Sequence, residues 1–181
     1  MGRLLALAAA FAVVLAAGGA SAAGDLPIKA FFGVWKGNAI SESEISANFR
    51  VTARDLDVEI QGFAVGGFTL RWATVLRQEG DPNAPAEVLK EATVTFIPQP
   101  GRTGVWRASE SQEPLAGAYL WARMEGQTLS VYSLGIAEDG SSDLQVYRRT
   151  LGGNGMELEF TRSIDGASIR TARGRLIKYS N

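Results

Sequence analysis

The chain has no cysteine and no histidine among its 181 residues. Without cysteine there is no disulfide framework and no lipid-attachment site, so stability must come from burial and hydrogen bonding. The two absences together remove the usual zinc, copper and haem ligands, and the Ser-His and Cys-His nucleophile pairs with them. An excess of one charge is also lacking: 18 Lys+Arg against 19 Asp+Glu leave a formal net charge of −1. No whole-protein field therefore points to nucleic acid or to an acidic membrane surface. Helical periodicity is scarce beyond the N-terminal stretch, and no internal repeat stands out. No metal site, cofactor or catalytic residue is implied.

What is present begins with a leader. Arg3 precedes the apolar run Leu4 to Ala17, followed by Gly18-Gly19 and the small residues Ala20-Ser21-Ala22-Ala23. A short basic start, an apolar centre and an Ala-x-Ala end are the marks of a cleavable secretory signal. A bilayer span needs about 20 apolar residues, and this run is shorter. The expectation is a signal peptide over 1–22, cut after Ala22 or alternatively after Ala23. A single soluble domain over 23–181 would then be exported, periplasmic or secreted, with no stable membrane insertion once the leader is removed.

Alternation by twos dominates the remainder. Leu56, Val58 and Ile60 alternate with Asp55, Asp57 and Glu59, and Met156, Leu158 and Phe160 alternate with Glu157, Glu159 and Thr161. Such segments are antiparallel strands with one face in the core and one in water. Turn signals such as Gly66-Gly67, Gly152-Gly153-Asn154-Gly155 and Asp165-Gly166 separate them. The acidic row Asp55, Asp57 and Glu59 then reads as a solvated outer face. Leu26 to Phe32 would form one helical turn with Pro27 at its start. Asp81-Pro82-Asn83-Ala84-Pro85 marks a loop, and Ala86 to Lys90 a helical turn at most. The pattern predicts an all-β fold, an antiparallel meander closed as an approximately eight-stranded barrel, because closure removes exposed sheet edges.

Phe32-Gly33-Val34-Trp35-Lys36 resembles the opening of the lipocalin and fatty-acid-binding group, the calycins, which place a Gly-x-Trp at the start of the first strand after a short helical turn. The resemblance implies structural roles for Gly33 and Trp35. It also implies that a late-strand arginine, Arg173 or Arg175, packs over the tryptophan and closes the barrel base. Two departures stand beside it: the second lipocalin motif is absent, and Lys178-Tyr179 replaces the Arg-x-Tyr of fatty-acid-binding proteins. The resemblance names no ligand.

Strand parity supplies the candidate site. Taking Leu144 and Val146 as the inner face puts Arg148 inside. Pairing around the Asp165-Gly166 turn sets Leu158 opposite Arg173 and Met156 opposite Arg175. Inward arginines need anionic partners, because an unpaired buried charge is costly. Arg148 and Arg175 are therefore candidates to hold a ligand carboxylate or phosphate, with Trp72, Tyr119 and Trp121 lining an apolar cavity. Three functions follow. One is an exported barrel that binds a small hydrophobic or amphipathic, anionic molecule. Another is a filled barrel acting through its surface, as an envelope-interaction module or protease inhibitor. The third is an isomerase- or cyclase-like enzyme built on carboxylates, tyrosines and arginines.

Overall fold

The computed structural model describes residues 24–46, 50–77 and 86–180. The expected leader, both cleavage points and the loop at 81–85 lie outside the described residues. Among the described residues no helix is long and apolar enough to cross a membrane. After a short 3-10 turn, Ile28–Phe31, the chain forms ten strands: β1 Gly33–Ser43, β2 Val51–Phe63, β3 Gly67–Arg77, β4 Ala86–Pro98, β5 Val105–Ala108, β6 Tyr119–Glu125, β7 Thr128–Ile136, β8 Ser142–Gly152, β9 Gly155–Ile164 and β10 Ala167–Ser180. Each pairs antiparallel with its neighbours in sequence, and β10 pairs with β1 to close the barrel.

The meander and its closure are as the alternation predicts, but the strand count is ten and not eight. The four-residue β5 is too short to show a period of two, yet it is hydrogen-bonded to both β4 and β6. The segment from Ala86 to Lys90 is the start of β4 and not a helical turn: Val88 lies opposite Val75 and Lys90 opposite Thr74, with Leu89 as an extra residue between them. That bulge breaks the alternation, which is why the segment does not read as a strand.

On β2 the alternation sorts as the pattern requires. Val58 and Ile60 are buried, while Asp57 lies opposite Lys36 and Glu59 opposite Arg71 on the outer wall. Gly33 sits at φ 128°, a backbone region that disfavours any side chain, where the chain swings from the 3-10 turn into β1. Trp35 is buried, and its indole N–H donates to the Phe31 carbonyl at 2.9 Å, locking the turn across the barrel end. Leu26 N–H donates to the Gly126 carbonyl at 2.8 Å and secures the same end.

That end is packed solid. Phe68 and Phe96 stack at 4.9 Å between ring centroids, and Trp106 meets Phe68 edge-on at 5.4 Å. The Trp106 indole N–H is satisfied by the Gly66 carbonyl at 2.7 Å. Ile60, Leu70, Leu129, Met156 and Leu176 fill the space between, all fully buried. No late-strand arginine covers Trp35. Lys178, directly opposite it on β10, places its ammonium 5.6 Å from the ring.

Candidate functional site

The same strands leave the other end hollow, because their inward positions there are small. β1 contributes Ala39, Ser41 and Ser43, and β10 contributes Gly174 and Ala172 opposite Ala39 and Ser41. A Cβ on Gly174 would run into the Asn38 carbonyl, so this seam is closed by backbone contact and offers little side chain to the interior. The resulting cavity has a volume of about 760 Å³.

One wall is aromatic. Trp72 of β3 reaches across to Tyr147 of β8, with ring centroids 5.9 Å apart, and Tyr147 packs on Phe160 of β9 at 4.6 Å. Burial raises the Tyr147 pKa, which keeps the phenol neutral. Its hydroxyl donates to Gln145 Oε1 at 3.3 Å.

Deeper along β8 lies Arg149. Its cross-strand partners are Leu129 and Leu158, both buried and apolar. Its relative exposure is 2%, it lines the cavity, and its Nε and Nη1 have no hydrogen-bond partner in the protein. The Tyr147 ring lies 5.7 Å from the guanidinium carbon. Desolvation lowers the Arg149 pKa to about 10, so the group remains charged at neutral pH. Holding this desolvated cation without a partner is unfavourable for the fold.

Towards the mouth, Arg162 of β9 grips Asp143 of β8 through two nitrogens, with an Nη2–Oδ2 distance of 2.7 Å. Hydrogen bonding to Asp143 raises the Arg162 pKa. Arg54, Lys90 and Arg170 also line the cavity, which makes five basic residues with Arg149 and Arg162. The one acidic lining residue, Asp57, lies on the outward parity of β2. A chain with a net charge of −1 thus gathers basic residues along this cavity, with Arg149 buried inside and Arg54, Lys90 and Arg170 exposed at its rim.

The residues expected from sequence divide. Trp72 is in the cavity. Arg148, Arg173 and Arg175 are on the outer wall: Arg173 faces Glu159 at 3.9 Å, Arg175 hydrogen-bonds Glu157 at 3.2 Å, and Arg148 is exposed opposite Glu159. For β10 the reason is a bulge. Ser168 pairs with Ser163, but Arg170 pairs with Arg162, so Ile169 is an extra residue that transfers every later side chain to the opposite face. For β8 the apolar pair Leu144 and Val146 belongs to the outer wall, opposite Leu134 and Tyr132. Tyr119 and Trp121 are outside as well. Trp121 stacks on Tyr132 at 4.7 Å, and the two candidates line a separate outer groove of about 330 Å³. The residues that sequence parity missed are Arg149 and Tyr147; it places Phe160 on the inner face but does not assign it to the site. The signal for them was the tight Gly153-Asn154 turn: Gly152 pairs with Gly155, which sets Tyr147 opposite Phe160 and Arg149 opposite Leu158.

The fold and site together define a closed, ten-stranded antiparallel β-barrel, packed at one end and open at the other. No family model matches the chain, and no curated protein does. Among solved structures it is similar to the S-type phycobiliprotein lyase CPES from Guillardia theta, at 8% identity and a TM-score of 0.39, over 86% of this chain and 94% of that one. A likeness at that level carries no argument about chemistry, which rests on the cavity itself.

Proposed function

We propose that the protein is an exported carrier whose open end holds a small amphipathic anion. The anionic head meets Arg149, and the apolar body lies against Trp72, Tyr147 and Phe160. The observation that carries this reading is the buried, unpartnered Arg149 guanidinium facing a cavity of about 760 Å³. A bound carboxylate, phosphate or sulfonate would supply the missing acceptor and offset the desolvation of the cation. Export rests on the leader pattern of Met1 to Ala22.

The test is a fluorescence titration with anilinonaphthalene sulfonate, an anionic aromatic amphiphile. The wild-type chain should bind it saturably at one site, and Arg149→Met should weaken binding at least about tenfold, the range for a lost charge-assisted hydrogen bond. Equal affinity in both proteins would refute the head-group assignment. Export is tested by intact mass after cell fractionation: a chain beginning at Ala23 or Gly24 in the envelope or medium supports it, and an uncleaved cytoplasmic chain rejects it. A second reading, action through the outer wall, draws on the Trp121–Tyr132 stack and its groove. It gains ground if Arg149→Met changes nothing.

A further inference from the structure

The carrier reading above needs one anionic head. The cavity carries a second cationic position that this head does not reach. Arg162 of β9 and Arg170 of β10 lie directly opposite each other, on the inward parity of both strands, and both line the cavity. Like charges directly opposite on one face of a ladder repel and weaken the pairing. Asp143 neutralises Arg162, but no described carboxylate pairs with Arg170. Of this pair, one positive charge is therefore left over at the mouth, that of the exposed Arg170.

The spacing to the buried arginine follows from the register. Arg149 sits opposite Leu158, and Arg162 is four positions further along the same β9 strand. At the rise of an extended strand that is about 13 Å. Between the two positions the wall is Phe160, packed on Tyr147, with no basic residue inserted. The arrangement is cation, aromatic strip, cation. A ligand with a single head and a plain tail would place its apolar end against the upper cations, where their desolvation has no compensation.

Resting on the carrier reading, we infer that the ligand is a dianion: two anionic groups at opposite ends of an apolar body, one held by Arg149 and the other by Arg170 with Arg162. The reading requires a rod-like molecule whose charged ends match the separation of the two arginine positions. It distinguishes an α,ω-diacid from the monoacid of the same length.

The experiment is calorimetric titration of the mature chain, purified without refolding, against α,ω-dicarboxylates from octanedioate to hexadecanedioate and the monocarboxylate of each length. The expected result is an affinity optimum within the diacid series, about tenfold tighter at that length than the matched monoacid. Arg170→Gln should bring the optimal diacid down to the affinity of the monoacid, while the outer-wall variant Arg175→Gln should keep the full advantage. Monoacids that bind as well as diacids at every length would overturn the second head-group site and leave the single-headed carrier standing. A diacid advantage that survives Arg170→Gln would overturn the assignment to this arginine pair. Failure of both series to bind would sink the inference together with the carrier reading beneath it.

Discussion

Each long strand of this barrel contributes to two unlike halves. β3 gives Phe68 and Leu70 to the packed end and Trp72 and Thr74 to the open one. β9 gives Met156 to the packed end and Phe160 and Arg162 to the open one. In the first half, rings and aliphatic chains interdigitate and every indole N–H has an acceptor. In the second, small residues on β1 and β10 leave space, and one charged group is buried without a partner. A protein with no disulfide to rely on concentrates its burial in one half, and the other half is free to be unfavourable for folding. The buried guanidinium is tolerable because the packed end supports it.

The comparison breaks most completely if the register of β10 is shifted by one residue. Inserting one alanine after Thr171 would set Arg173 opposite Leu158 and Arg175 opposite Met156, sending both inward in place of Gly174 and Leu176. The expected outcome is loss of the cooperative near-ultraviolet melting transition, whereas deleting the extra residue Ile169, which keeps every later pair, should retain it. An insertion variant melting within a few degrees of wild type would show that this register does not decide which face is inside.

A matched pair of truncations sharpens the contrast along β3. Phe68→Ala removes a ring with no solvent exposure and should cost about 3–5 kcal/mol in chemical denaturation. Trp72→Ala, one face of which adjoins the cavity, forfeits fewer contacts and should cost about 1–2 kcal/mol while weakening ligand binding. Equal losses would mean that the open half is as tightly packed as the closed one.

Arg149→Met should act in the opposite direction and raise stability by about 1–3 kcal/mol at neutral pH, since an apolar chain replaces a desolvated ion. The pH dependence follows in sign. The guanidinium pKa is lowered to about 10 in the folded protein, so the unfolded chain holds the proton more firmly. The stability penalty is complete below about pH 10, and wild-type stability recovers towards Arg149→Met as the pH rises above it. Anion affinity should fall over the same rise through about pH 10. A constant stability gap between the two proteins up to pH 11 would contradict the assignment.

Much of the fold was legible because period-two alternation is a direct product of the pleat: β2 and β9 sort their side chains as Leu56 to Ile60 and Met156 to Phe160 indicate. The Gly-x-Trp was legible for the same local reason, through the φ of Gly33 and the N–H of Trp35. An inward arginine facing an anion was legible as an idea but assigned to the wrong residues. Register accumulates along a hairpin, and Ile169 adds one residue that no composition or spacing rule reveals. On β8 an outer apolar row, Leu144 and Val146 beside Tyr132 and Leu134, imitates a core face. Only the tight turn at Gly153-Asn154 holds the information that Tyr147 and Arg149 point inside.

Arg175 provides the smallest effect and the cleanest control. It shares the chemistry of Arg149 and stands on an adjoining part of the same wall, but its nitrogen meets Glu157 at 3.2 Å with both side chains more than half exposed. Solvent screens such a pair, and fixing two long side chains offsets most of the attraction, so Arg175→Ala should change stability by less than about 1 kcal/mol. Raising the ionic strength should shrink even that difference, because the pair is within reach of mobile ions. Anion affinity should be unchanged, since the side chain is separated from the cavity by the sheet itself. If Arg175→Ala weakened binding as Arg149→Met does, the inner and outer faces of β10 would have been exchanged, and the contrast between a buried cation awaiting a ligand and an exposed one already paired would fail.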